Sequence, residues 1–188
     1  SATGPRPPSR RLRSVFDLCK VGLESLAPSF LVPRLDGREL ADIYFKTEEY
    51  APAIAEYINA NELAPHDEII LIKLGNSYKL NGNNEKALQT YQKVLDLNAN
   101  NEDALFNMGL IFAEQSKIKE AKEKFEKIIE LNPNYTYAYY ALAMSFETEN
   151  ELNKAIFNYE KFIELSNEDA VNESIKEKIN YLKIKLQQ

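Results

Sequence analysis

Arginine is missing from the last 150 residues of this 188-residue chain: all six, at positions 6, 10, 11, 13, 34 and 38, lie in the first 38. With one lysine and three acids they leave that stretch at +4, whereas the remainder, 16 lysines against 26 acids, stands at −10. Such a break points to two pieces of different role joined near residue 33. An acidic body of this size is a poor partner for nucleic-acid phosphates, so no nucleic acid is expected. Cysteine and histidine are each present once, as Cys19 and His66. One cysteine makes no internal disulfide, and the two residues cannot build a Cys/His zinc cluster, so no metal or cofactor is expected and a reducing, cytoplasmic setting fits. The longest purely aliphatic run, Ile69 to Ile72, is far short of the roughly 20 apolar residues a membrane-spanning helix needs, so no membrane span is expected.

Catalytic groupings are missing too. His66 follows Pro65 in a turn with no adjacent Ser or Cys to activate, and a surface turn residue is the better reading. Cys19 sits among apolar residues at helical spacing and reads as a small hydrophobe. The acid pairs Glu48-Glu49 and Glu102-Asp103 read as solvated faces, and Gly82 stands alone where a phosphate loop needs several glycines. Asn134-Tyr-Thr and Asn172-Glu-Ser match a glycosylation triplet, a weak signal without a secretion segment. No catalytic residue is expected, and the chain reads as something other than an enzyme.

What is present is repetition on an apolar content of 44%, enough for a real core. Within Glu102 to Tyr135 the positions Leu105, Met108, Gly109, Phe112, Ala121, Phe125 and Pro133 recur 34 residues earlier as Leu71, Leu74, Gly75, Tyr78, Ala87, Tyr91 and Ala99. They recur 34 later as Tyr139, Leu142, Ala143, Phe146, Ala155, Tyr159 and Asn167. A large residue, leucine beside a small one, an aromatic, alanine, an aromatic and proline at this period resemble the tetratricopeptide repeat. The resemblance covers about 135 residues and implies an all-α superhelix: four helix pairs at 34–67, 68–101, 102–135 and 136–169, closed by a capping helix at 170–188. Small residues at Gly75, Gly109 and Ala143 are expected to face Ala87, Ala121 and Ala155 and bring paired axes close. Turns are expected at Gly82-Asn83-Asn84, Gln115-Ser116 and Glu149-Asn150, with Asn and Ser capping the next helix. Val171, Ile175, Ile179, Leu182 and Leu186 mark the inward stripe of the cap.

The first 33 residues stand outside the resemblance. Residues 1–11 carry three prolines with arginine and serine and nothing to bury. From there Leu12, Val15, Phe16, Cys19, Leu23 and Leu26 follow helical spacing until Pro28, a short amphipathic helix over about 12–26 that needs a surface to fold against. Three readings are open: an extra helix on the edge of the array, a targeting segment similar to a mitochondrial presequence, or a fused ligand peptide. Leu31-Val32-Pro33-Arg34 is similar to a thrombin cleavage site, although Leu35-Asp36 follows it.

The resemblance also implies where a ligand sits. In this family the first helices line a concave groove, and the matching positions here are Ile69, Ile72, Lys73 and Asn76 in the second repeat, Phe106, Asn107 and Leu110 in the third, and Tyr137, Tyr140 and Met144 in the fourth. The family's carboxylate clamp for acidic chaperone tails keeps its asparagines as Asn76 and Asn107, but its cation positions hold Ile72, Tyr137 and Ala141. Each missing charge-assisted bond would be worth about 1.5–3 kcal/mol. A co-chaperone adaptor is therefore disfavoured. A scaffold for an apolar or amphipathic peptide or helix is favoured, and a secretion-chaperone-like module is the alternative. The basic segment Leu12 to Leu26 is the candidate ligand, bound within its own chain or exchanged with a second copy, with Asn76 and Asn107 free to hydrogen-bond its backbone.

Overall fold

The computed structural model describes residues 37–188, so the candidate ligand residues Leu12, Val15, Phe16, Cys19, Leu23 and Leu26 lie outside the described part. Nine helices and no strand occur among the described residues: α1 (Gly37–Lys46), α2 (Tyr50–Leu63), α3 (Glu68–Leu80), α4 (Asn84–Leu97), α5 (Glu102–Glu114), α6 (Ile118–Leu131), α7 (Thr136–Thr148), α8 (Leu152–Leu165) and α9 (Asp169–Lys185). They pack as successive pairs, α1 with α2, α3 with α4, α5 with α6 and α7 with α8, and α9 lies on α8. Each second helix also meets the first helix of the next pair, so the core runs on from pair to pair.

The 34-residue period governs each level of this packing. Tyr57, Tyr91, Phe125 and Tyr159 share one position of the second helix, and all are fully buried. Gly75 and Gly109 are tied to these rings. A Cβ on Gly75 would lie 2.5 Å from Tyr91 Cε1, and one on Gly109 would lie 2.5 Å from Phe125 Cε1. The close approach is thus made to an aromatic ring, rather than to the opposing alanine as the sequence suggested. Ala87, Ala121 and Ala155 are buried as well, but the ring is the bulkier body and reaches the glycine first.

Helix ends repeat in the same way. Asp67 caps α3, its carboxylate accepting from the Ile69 and Ile70 N–H, and Asn101 caps α5 through Ala104 N–H. In the turns the expectation holds only in part. Asn83 caps α4 by accepting from Lys86 N–H, but Ser116 and Asn150 take left-handed backbone, at φ 61° and 59°, and α6 and α8 begin without a side-chain cap. Gly82 at φ 78° and Glu48 at φ 62° occupy the equivalent position in the first two pairs. The turn between paired helices needs one left-handed residue, and that need overrides the capping preference of Ser116 and Asn150.

Polar contacts also close individual repeats. Glu68 Oε2 accepts from Asn98 Nδ2 at 3.1 Å and Asn101 Nδ2 at 2.9 Å, and one repeat later Glu102 Oε2 accepts from Asn132 Nδ2 at 3.1 Å. The first residues of α3 and α5 are thereby held to the loop that ends their own pair.

Candidate functional site

The ten positions read as groove residues lie on three first helices: Ile69, Ile72, Lys73 and Asn76 on α3, Phe106, Asn107 and Leu110 on α5, and Tyr137, Tyr140 and Met144 on α7. Neighbouring first helices touch, α3 with α5 and α5 with α7, so the three sets belong to one surface. That surface divides into two halves of different chemistry.

The α5–α7 half is open and apolar. A cavity of about 420 Å³ lies between the two helices, lined by Phe106, Leu110, Ala113 and Glu114 of α5 and by Tyr137, Tyr140, Ala141 and Met144 of α7. Tyr137 and Met144 are 52% and 46% exposed, far more than a packed core requires. Beneath them the rings are anchored. Phe106 stands 5.7 Å from Phe125 and 5.5 Å from Tyr135, and Tyr140 stands 5.8 Å from Tyr159 and 5.4 Å from Phe162, centroid to centroid. Tyr137 OH donates to Glu168 Oε1 at 2.5 Å, which ties α7 to the start of α9; the carboxylate acceptor pushes the Tyr137 phenol above its ordinary value. Aromatic walls held in this way present a firm apolar surface with little rotamer freedom left to lose on binding.

The α3 half is polar and already engaged with itself. Lys73 Nζ donates to both oxygens of Asp42, at 2.7 and 2.6 Å, and Tyr57 OH donates to Asp42 Oδ1 at 2.5 Å. Burial alone would raise the Asp42 carboxyl. The hydrogen bonds from Lys73 and Tyr57, with the lysine charge, outweigh it and hold the group below its ordinary 3.8. Asn76 Oδ1 accepts from Tyr91 OH at 2.6 Å. Asn107 Oδ1 accepts from Lys79 Nζ at 2.5 Å, and its Nδ2 donates to Asp103 O at 2.9 Å. Lys79 is half-buried, and loss of water there depresses its ammonium below the ordinary value.

These contacts engage Asn107 through both its oxygen and its amide, and Asn76 through its oxygen. A buried tyrosine on the second helix must find an acceptor, and the facing position of the first helix supplies it: Asp42 for Tyr57, Asn76 for Tyr91. Where the ring is Phe125, the facing residue is Leu110, free to line the cavity. Tyr159 faces Met144 and reaches instead to Glu147, its OH 2.9 Å from Oε2. Glu147 also receives Lys178 at 2.9 Å. Of the acids on this surface, Asp42 and Glu147 are thus paired with Lys73 and Lys178. Ile69 is exposed and Ile72 packs on the Leu71–Tyr91 cluster, and neither lines the cavity. The cavity also includes Ile118, at the opening of α6, which the sequence reading overlooked. Its signal was an apolar residue opening a second helix where the preceding pair has Asn84.

Among the described residues no group of three or more His, Cys, Asp and Glu could hold a metal ion, and no helix is long and apolar enough to cross a membrane.

Comparison with known proteins rests on this geometry. The tetratricopeptide repeat family matches residues 39–67, 102–135 and 136–169, and a further TPR repeat description matches 75–116. No curated protein matches. A solved structure of MamA is 26% identical, covers 69% of this chain and 70% of its own, and superposes with a TM-score of 0.63. MamA from residue 41 to its end, from Desulfovibrio magneticus RS-1, is 18% identical over 81% of this chain and 96% of its own, with a TM-score of 0.66. YrrB, described as a TPR protein with an unusual peptide-binding site, is 20% identical over 75% of this chain and 73% of its own, with a TM-score of 0.65. Repeat period, paired helices with an aromatic ring set against each small residue, and these matches agree: the chain belongs to the tetratricopeptide repeat family.

Proposed function

We propose that the chain is a protein-interaction scaffold that takes an amphipathic helix on its first-helix surface, with apolar side chains of the partner seated in the α5–α7 cavity. The observation that carries this reading is the cavity itself: about 420 Å³ lined by Phe106, Leu110, Tyr137, Tyr140 and Met144, with Tyr137 and Met144 left half exposed. Exposed aromatic and methionine side chains over an apolar hollow are the composition that helix-in-groove recognition uses. The peptide-binding site named for YrrB supports the same kind of use in a similar fold. The engaged α3 half supports an apolar rather than an ionic partner, because Lys73 and Asn107 already have hydrogen-bond partners. It also weighs further against the co-chaperone adaptor, whose clamp would need both asparagines free. The secretion-chaperone-like reading shares the apolar cavity and differs only in what partner it serves.

The occupant we favour is the segment Leu12 to Leu26 of the chain itself or of a second copy. Its sequence spaces Val15, Phe16, Cys19 and Leu23 as one face of a helix would, and the roughly ten residues from Pro28 to Gly37 would span at most about 35 Å if extended. Amide exchange on the full chain tests this. Residues 12–26 should exchange slowly in the wild type and quickly in both Phe16→Asp and Tyr140→Ala, with α3–α8 protected throughout. Losing a buried aromatic anchor should weaken the contact by about 2 kcal/mol, and added salt should change it little. Fast exchange in the wild type, or slow exchange surviving Tyr140→Ala, would sink the assignment of the occupant. A contact that collapses with salt and ignores Tyr140→Ala would sink the apolar groove as well.

A further inference from the structure

The opposite side of α7 bounds a second cleft. Residues three and four apart share a helix face, so Tyr139, Leu142 and Phe146 look away from Tyr137, Tyr140 and Met144. They floor a cavity of about 650 Å³ whose walls are α6 and α8. Phe157 stands at its edge, 57% exposed. The equivalent position in the three earlier pairs holds Ala55, Gln89 and Glu123. Packing within a pair therefore asks for nothing aromatic there, and an exposed aromatic beside a roomy apolar cleft marks a docking surface. The charges at this cleft are unequal in their commitments. Lys154 and Lys161 on α8 are paired with Glu151 and Glu164. Glu126 and Glu130 on α6 are exposed and make no ion pair within 4.0 Å among the described residues, although Glu126 acts on Lys154 at longer range. The cleft suits an apolar segment that brings positive charge.

The second half of α9 is such a segment. From Lys178 to Lys185 it has no acid, and its last turn carries Lys183, which is paired with Glu160, and Lys185, which makes no ion pair within 4.0 Å among the described residues. The inner face of α9 is occupied by Ile175, Ile179 and Leu182, all buried. Tyr181 and Ile184, one turn apart on the outer face, are 63% and 59% exposed. Among the described residues cleft and helix end are each open, and the inner face of α9 is held on α8, so joining them takes two molecules. We infer that the end of α9 of one copy docks in the α6–α8 cleft of a second copy, with Tyr181 and Ile184 against Phe157 and Lys185 beside Glu130. The two contacting surfaces differ, so the association is heterologous and leaves a free cleft at one end and a free helix at the other. A contact of so few side chains falls in the weak, transient class, below roughly 1,200 Å² of buried surface.

Sedimentation velocity on the full chain across a concentration series tests the inference. The weight-average mass should climb from the 21.6 kDa of the single chain past twice that value without levelling at a dimer. Tyr181→Asp and Phe157→Asp, both at exposed positions and checked for folding by circular dichroism, should each weaken association by about tenfold or more. Glu130→Lys and Lys185→Glu should each weaken it, and an equimolar mixture of these two variants should associate more strongly than either alone. A mass of 21.6 kDa at every concentration would overturn the inference, as would a plateau at the dimer. Association that survives both aspartate variants, or that is abolished by Tyr140→Ala, would place the contact elsewhere and overturn it equally.

Discussion

Gly109→Leu is the substitution that most directly probes how this array is packed. A Cβ added at Gly109 would lie 2.5 Å from Phe125 Cε1, 2.8 Å from Cζ and 3.1 Å from Cδ1, against an ordinary separation of about 3.5–4.0 Å between carbons. The ring cannot retreat easily: Phe125 is 1% exposed and has Phe106 at 5.7 Å beside it. Leucine would gain about 0.8 kcal/mol of helix propensity over glycine. Against this, extra methylenes in a packed core cost about 1–3 kcal/mol, and leucine adds four carbons where one already collides, so a net loss of about 3 kcal/mol or more is expected. For a chain of this length each kcal/mol moves Tm by roughly 2–4 °C, so the variant should melt about 10 °C lower. Gly109→Ala is the internal comparison. Ala41 shares a core with Tyr57, and Ala143 shares one with Tyr159, so a pair can hold one methyl at this position once the ring is displaced; the alanine variant, whose Cβ meets Phe125 at the same 2.5 Å, should lose about 1–2 kcal/mol, less than leucine. The measurement is thermal and urea unfolding by circular dichroism, with amide exchange over α5 and α6 because repeat arrays can open locally. Adding Phe125→Ala to Gly109→Leu should recover part of the loss, a favourable coupling of about 1 kcal/mol or more. An unchanged Tm for Gly109→Leu, or a loss no larger than that of Gly109→Ala, would refute the reasoning.

Two further outcomes follow from the same structure. Asp42 titrates below 3.8 when folded, so its contribution is present above that value and is lost as pH falls through the folded pKa; the gap in urea midpoint between wild type and Asp42→Asn should narrow as pH drops below 3.8, and a gap independent of acid would count against the Lys73–Asp42–Tyr57 contact. Glu48→Gly and Ser116→Gly remove side chains from left-handed backbone at φ 62° and 61° and should each stabilise by about 0.5–1 kcal/mol, whereas Gly82→Ala should destabilise by about 1 kcal/mol; the reverse order of urea midpoints would show that the turns do not set these angles.

The sequence revealed the fold because one chemical requirement recurs every 34 residues, and the site was harder to read because each repeat meets that requirement differently. Gly75, Gly109, Ala41 and Ala143 announce a close approach, and the buried rings at 57, 91, 125 and 159 fulfil it. A pattern of residue sizes is enough to see this. What sequence position does not reveal is which first-helix polar groups are consumed inside the array. Asp42 and Asn76 look like groove residues by their place in the repeat, yet each is the acceptor for the tyrosine of its own pair. The coupling is nevertheless legible in the chain: tyrosine faces Asp42 and Asn76 in the first two pairs, Phe125 faces Leu110 in the third, and Tyr159 of the fourth, facing Met144, turns to Glu147. Ser116 and Asn150 were misread for a related reason. Their capping chemistry was judged alone, while the turn between paired helices needed a left-handed residue at that place. The first of these misreadings bears on the chemistry of the first-helix surface. Where a tyrosine claims the acceptor, the groove loses a polar contact to a partner; where Phe125 makes no such claim, Leu110 turns the surface apolar, and it is there, between α5 and α7, that the cavity opens. A single hydroxyl, absent from Phe125 and present on Tyr91, thus separates the polar contact at Asn76 from the apolar cavity wall at Leu110.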